Sequence, residues 1–243
     1  MPARVADITY YPVKGCAGIT VTEAELTPAG LRDDRTYAVV DEAGELRWQW
    51  GDPALALITP ELKDGELWLS APGRETLHVP PDGTGADAWL TDVLGAPSRL
   101  VRPPAGNGGR LHVVSRASLD LLNGRLTERG APPLPMNRFR PNVVIDGWPT
   151  PHTEDDAGHL AIAGTELAFA ERTIRCAITM VDQETGRRSG PEPLRTLADY
   201  RKEAAGIAFG AYFTVVRPGR LSVGDVVSVG DVESVGDAVS VDH

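Results

Sequence analysis

Ile8-Thr9-Tyr10-Tyr11-Pro12-Val13, Ile19-Thr20-Val21-Thr22-Glu23-Ala24-Glu25-Leu26 and Tyr37-Ala38-Val39-Val40 decide the fold. β-Branched and aromatic residues crowd these runs and glycine-bearing segments separate them, the pattern of short strands joined by turns. Working outward, Asp41-Glu42-Ala43-Gly44 reads as a hairpin turn and Lys63-Asp64-Gly65-Glu66 as another. Residues 55–58 and Leu67-Trp68-Leu69 read as further strands. The first hundred residues are expected to form a small, mostly antiparallel barrel or sandwich.

Pro80-Pro81-Asp82-Gly83-Thr84-Gly85 breaks this pattern, and residues 86–94 then read as a short helix leading into a strand at 98–101. A second boundary follows at 103–109. Ser115-Arg116-Ala117-Ser118 opens a helix with Leu119, Leu122 and Leu126 on one face and Ser115 or Ser118 as its cap. That helix is expected to lie on the second domain's barrel. Val143-Val144-Ile145, Leu160-Ala161-Ile162, Glu166-Leu167-Ala168-Phe169, Thr214-Val215-Val216 and Val226-Val227 supply the strands of a second, larger sheet, with a helix at 194–202 intervening. Ser-Val-Gly-Asp repeats from Ser222, Ser228 and Ser234, too few copies for a solenoid. The first copy is expected to close the barrel and the rest to be a flexible extension. The expected class is mainly β with some α (α+β), divided into residues 1–102, 103–229 and a tail at 230–243.

The 243 residues are 42% hydrophobic and 24% charged, the composition of a soluble globular chain. A net charge of −10 argues against nucleic acid or an anionic membrane as the main partner. Two cysteines, Cys16 and Cys176, make no disulfide framework, which points to a reducing cytoplasm. Met1-Pro2-Ala3-Arg4-Val5-Ala6-Asp7 lacks the apolar core of a secretion signal, and no run approaches the roughly 20 apolar residues of a membrane helix. A soluble, untargeted protein is expected.

None of G-x-S-x-G, G-x-x-x-x-G-K-[ST] or H-E-x-x-H occurs. Cys176 follows Arg175, whose guanidinium favours the thiolate that attacks an electrophile or binds a metal. On that segment alone a buried structural thiol stands slightly ahead of a ligand. Asp182-Gln183-Glu184-Thr185-Gly186 reads as a strand-ending turn, which puts Cys176 a few residues inside a strand near the barrel mouth. Lys14 and Arg35 fall near strand ends, and Arg138 and Arg140 flank Phe139. Converging, these cations can bind a phosphate; singly, each reads as a solvated charge. His152, Glu154, Asp155, Asp156 and His159 form a compact donor cluster, but their spacing fits no zinc signature and a polar loop is the better reading. Cys16 has no local partner and reads as structural.

Phe139-Arg140-Pro141-Asn142-Val143-Val144, Arg175-Cys176-Ala177-Ile178-Thr179-Met180-Val181-Asp182 and Pro191-Glu192-Pro193-Leu194-Arg195-Thr196-Leu197 together resemble the MOSC domain, the molybdenum cofactor sulfurase carboxy-terminal domain. Tyr11-Pro12-Val13-Lys14-Gly15-Cys16 and Gly30-Leu31-Arg32-Asp33-Asp34-Arg35 resemble the β-barrel domain that precedes it in the amidoxime-reducing component and bacterial relatives. The resemblance implies an amino-terminal β-barrel followed by a MOSC barrel with flanking helices, clamping a molybdenum cofactor (molybdopterin) between them. It makes Cys176 the thiolate ligand to molybdenum and the catalytic residue. Lys14, Arg35 and Arg140 match positions holding the pterin phosphate and ring, and Arg175 and Tyr212 match further cofactor-lining positions. The implied activity is an oxidoreductase, independent of pyridoxal phosphate, that removes oxygen from N-hydroxylated or N-oxide small molecules using a separate electron-transfer protein.

Three departures stand out. Gly15 replaces a serine, Trp48-Gln49-Trp50-Gly51 stands where relatives carry Thr-Ala-Arg-Gln, and Asn107-Gly108-Gly109-Arg110 replaces an Asp-Thr-Ser loop whose role the glycines' backbone amides can take over. The first domain also reads as short between Val79 and Ala86, where relatives carry an extra strand. Alternative expectations are a sulfur-transfer or cofactor-carrier protein using a reactive Cys176, and a divergent MOSC biosynthetic enzyme without molybdenum.

Overall fold

The computed structural model describes residues 2–80, 83, 85–103 and 108–230; Asn107 and the tail beyond Gly230 lie outside them. The main sheet runs, edge to edge, Val227–Gly230, His159–Ile162, Thr165–Arg175, Gly206–Arg217, Arg110–Ser115, Val143–Asp146, Arg4–Tyr10, Ile19–Val21, with Lys202–Glu203 pairing beside Gly206–Arg217. Only Arg110–Ser115 and Val143–Asp146 pair in parallel within it. Parallel neighbours need a long crossover, and the helix Arg116–Glu128 lies in that connection.

The first strand pattern therefore divides between two bodies. Arg4–Tyr10 pairs with Val143–Asp146, because Val5 and Ile8 find their apolar partners in Val143 and Ile145. Glu23–Thr27 pairs with Gly219–Ser222 from the far end of the chain. Only Val13–Lys14, Tyr37–Val40 and Arg99–Val101, with the separate three-stranded sheet Thr59–Lys63, Glu66–Ser70 and Leu77–Val79, enclose the amino-terminal core of Val13, Cys16, Val39, Leu55, Ile58 and Leu90. Residues 55–58, expected as strand, fall on a 3-10 turn, Pro53–Leu57, since Pro53 sets a helical φ at its start. The helix Ala86–Leu94 forms as expected, ended by Gly95 in the left-handed region at φ 68°.

Arg116–Glu128 buries Leu122 and Leu126, and Ser115 caps it by accepting from the Ser118 N–H at 3.2 Å. The helix expected at 194–202 stops at Ala198. The second Ser-Val-Gly-Asp copy, expected in the extension, supplies strand Val227–Gly230 against His159–Ile162. No helix among the described residues is long and apolar enough to cross a membrane.

Candidate functional site

Lys14, Arg35, Arg140, Arg175, Cys176 and Tyr212 line one cleft of about 280 Å³. Lys14 ends the strand Val13–Lys14, Arg175 ends Thr165–Arg175, and Tyr212 lies within Gly206–Arg217. Arg35 and Arg140 occupy turns in the left-handed region, at φ 56° and 53°. Their guanidiniums lie over the buried ring of Tyr11, 4.9 and 4.2 Å from its centroid. The Tyr11 hydroxyl donates to the Pro141 carbonyl at 3.1 Å, and burial pushes its pKa up, so the ring between the two cations stays neutral.

The charges on the cleft floor are unequally compensated. Arg35 pairs with Asp34, and Arg47 with Asp52 at 2.7 Å. Arg140 instead donates to the Cys16 carbonyl at 2.6 Å and to Gln183 Oε1 at 3.2 Å. Arg175 donates to the Phe139 carbonyl at 2.8 Å and approaches His112 Nε2 at 3.4 Å. Among the described residues neither Arg140 nor Arg175 has a carboxylate partner. Burial lowers the pKa of both, yet a guanidinium stays charged at any physiological pH.

Three residues of the cleft carry a buried donor without a hydrogen-bond partner: Arg47 Nε, Thr173 Oγ1 and Arg175 Nε. An orphaned buried donor costs about 1–3 kcal/mol, so this set is suited to an acceptor-rich anion. His112, Thr173 and Arg47 escaped the sequence reading. Burial first, then Arg175, holds His112 well below the usual imidazole range, so it is neutral here. One histidine within Arg110–Ser115 carries no pattern that marks it; its inward register only emerges from sheet pairing.

Cys176 is exposed and lies one residue beyond its strand, opening the 3-10 turn Ala177–Met180, rather than inside the strand as expected. Its carbonyl accepts from the Thr179 N–H at 3.2 Å and hydroxyl at 3.0 Å, which bends the chain there. Cys16 is buried among apolar side chains, with its thiol pushed up to about 12 by burial, and is correspondingly unreactive.

Arg138 does not join the cleft: it donates to Asp182 at 2.9 Å and to Ser189 Oγ at 2.7 Å. Gly109 is likewise elsewhere, since a Cβ there would meet the Pro28 carbonyl at 2.8 Å; neither it nor Gly108 lines the cleft. Trp48 stands at the cleft, whereas Trp50 lies under Arg188 at 4.8 Å. The His152 cluster is structural: Glu154 Oε1 accepts from the Ser115 N–H and the Ser118 hydroxyl, and Asp155 pairs with Arg201 and Arg172. No group of potential metal ligands occurs there or elsewhere among the described residues.

Residues 103–228 match the MOSC domain model and residues 2–96 the MOSC N-terminal beta barrel domain model. The chain is 31% identical to mitochondrial amidoxime reducing component 2 of Rattus norvegicus, over 92% of this chain and 82% of that protein. It is 33% identical to mitochondrial amidoxime-reducing component 1 of Mus musculus, over 92% of this chain and 81% of that one. Against molybdenum cofactor sulfurase of Danio rerio it is 30% identical, over 86% of this chain but 31% of the longer protein. A solved structure, the YUAD protein from Bacillus subtilis, aligns with TM-score 0.47 and 14% identity over 93% of this chain and 94% of its own. The chain belongs to the MOSC-domain family, with that family's N-terminal β-barrel domain preceding it.

Proposed function

We propose that this protein is a molybdenum-cofactor-dependent oxidoreductase that reduces N-hydroxylated small molecules with electrons from a separate redox protein. One juxtaposition carries the reading: an exposed thiol, Cys176, beside buried Arg140 and half-buried Arg175, two guanidiniums that no carboxylate neutralises among the described residues. Thiolate is a soft ligand of the kind such metals take, and guanidiniums suit a phosphate. The orphaned donors Thr173 Oγ1 and Arg175 Nε fit a ligand rich in acceptors.

In this reading Lys14 and Arg35 from residues 1–102 and Arg140, Arg175 and Tyr212 from residues 103–229 clamp the cofactor, and Cys176 ligates its metal. When bound, the cofactor supplies the two-electron centre that accepts the substrate's oxygen. The chain itself holds the phosphate and keeps His112 neutral as an acceptor facing Arg175. Trp48 and Ile174, both partly solvent-exposed and both lining the cleft, offer an apolar rim to the substrate's body. The names of the amidoxime-reducing relatives support the substrate class. A free, exposed Cys176 suits a reducing cytoplasm.

The test is elemental analysis of protein from a cofactor-competent host. Stoichiometric molybdenum is expected, with Cys176→Ser losing both metal and amidoxime reduction driven by an artificial donor. Metal-free wild-type protein together with an unimpaired Cys176→Ser variant would reject the proposal. The exposure of Cys176 also favours a second reading, a sulfur carrier, which predicts a persulfide adduct on Cys176 in metal-free protein by mass spectrometry.

A further inference from the structure

Arg140 is held by a hydrogen-bond ring made almost wholly of uncharged groups. Fully buried Gln49 donates through Nε2 to the Gly15 carbonyl at 2.7 Å and to Gln183 Oε1 at 3.0 Å. Gln183 returns the bond, Nε2 to Gln49 Oε1 at 2.9 Å, and donates its other hydrogen to the Val181 carbonyl at 3.0 Å. Gln183 Oε1 accepts from Arg140 Nη1 at 3.2 Å, and Arg140 Nη2 closes the ring on the Cys16 carbonyl at 2.6 Å. Both hydrogens and the oxygen of each amide are used. A saturated network of this kind specifies one arrangement, because any rotation orphans a buried group.

We propose that the reciprocal Gln49–Gln183 amide pair is a positioning device: it ties the Lys14-Gly15-Cys16 loop to Arg140 and holds that guanidinium in the anion site without neutralising it. The proposal rests on the anion-binding part of the function proposed above. Its logic is one of charge. Arg35 and Arg47 already have carboxylates, and Arg175 keeps a carbonyl and a neutral imidazole. A glutamate at 183 would occupy the same space but place a negative charge within reach of Arg140, forming the ion pair that a ligand anion must otherwise supply. An amide anchors the guanidinium and leaves its charge available. The loop whose two carbonyls close the ring is also the one that carries Lys14, so one network sets both cations.

The experiment measures inorganic sulfate binding to the full chain by calorimetry, sulfate being a tetrahedral dianion whose charge is constant between pH 5 and 8. Gln183→Glu should weaken sulfate binding about tenfold or more at pH 7.5, the loss of one charge-assisted contact, and, because Arg140 holds the new carboxyl ionised, the loss should ease only as pH falls toward about 4, where sulfate is still a dianion. Arg140 is the cation that carboxyl would meet, with Asp182 and Glu184 beside it in sequence and Arg138 paired to Asp182. Gln183→Met, which opens the ring without adding charge, should weaken binding less and without that pH dependence. Wild-type protein that ignores sulfate, Gln183→Glu binding as wild type, or equal pH-independent losses in both variants would each overturn the proposal. Should Gln183→Glu not fold, Gln183→Met and Gln49→Leu decide: similar losses in both are expected, and unchanged binding in both overturns it. Metal-free wild-type protein from a cofactor-competent host, together with an unimpaired Cys176→Ser variant, would remove the cofactor reading, while a sulfate affinity that still depends on residue 183 would leave the positioning role standing.

Discussion

Arg175→Met tests whether the cleft's cations act on one another as well as on a ligand. Methionine keeps an unbranched chain out to about the position of Nε and removes the rest of the guanidinium with its charge. Three consequences follow from the geometry. The donor to the Phe139 carbonyl is lost, costing about 1 kcal/mol of stability, while removal of a half-buried charge lacking a carboxylate acts in the opposite direction. Melting should therefore shift little. Sulfate affinity should fall roughly 10- to 150-fold, the equivalent of about 1.5–3 kcal/mol for a charge-assisted contact. His112, whose pKa is lowered first by burial and next by Arg175, should titrate at higher pH than in the wild type, yet still below its usual value because the burial remains. Imidazole proton signals followed against pH read the last effect, and calorimetry the second. A His112 titration that does not move, or sulfate binding equal to wild type in a folded variant, would refute the electrostatic account of the floor.

Two further substitutions probe the scaffold. His152 has both ring nitrogens buried and unpartnered, and burial followed by Arg201 holds its pKa at about 4. The unfolded chain thus takes up the proton first, so stability falls as pH drops from 6.5 toward 4, by about 2 kcal/mol at pH 5. Asp155, raised to about 6 by burial, contributes in the opposite sense, its stabilisation lost as pH rises through 6. His152→Phe should accordingly gain stability relative to wild type at pH 5 over its difference at pH 7.5; urea melts showing equal differences at both would dispose of the idea. Gly15 lies at φ 87°, so Gly15→Ser should cost about 1 kcal/mol, and an unchanged melting temperature would contradict it.

Strand and helix positions were largely legible in the sequence because their signals are local. Ser115 as a cap and Leu122 and Leu126 as a buried face need only helical spacing, and the structure has both. Partner choice was not legible. Val5 and Ile8, three residues apart, share the core face only because the register shifts between Val5 and Asp7, and nothing in the sequence names Val143 and Ile145, more than a hundred residues on, as the opposing surface. The same limit governs the site. Six residues picked by motif meet in one cleft, but His112, Thr173 and Gln183 matter through contacts made only in the folded chain. Arg138 shows the converse: two residues from Arg140, it turns the other way to meet Asp182, since the turn at Met136–Phe139 ends between them. The loss read at Gly15 also changes meaning, because that backbone conformation suits glycine and its carbonyl serves Gln49.

Arg35 and Arg140 bear on why the cleft is built as it is. Each holds a left-handed backbone that costs a residue with a Cβ about 1 kcal/mol, a cost glycine would avoid. Glycine brings no guanidinium, and in both turns the left-handed residue is the one whose side chain lies over Tyr11. Added to this are two cations without carboxylates among the described residues, one buried and one half-buried, and three orphaned donors on residues that line the same cleft. A fold under selection for stability alone would remove these features singly by cheap substitutions. Their coincidence in a chain of net charge −10 is therefore best explained by an anion bound at contact distance. Long-range steering cannot be the device, since the net field repels such a ligand and is screened within roughly 8 Å at physiological salt. Attraction must come from the floor itself, which makes affinity depend on where the guanidiniums are held, and so on the amide ring and turns that hold them.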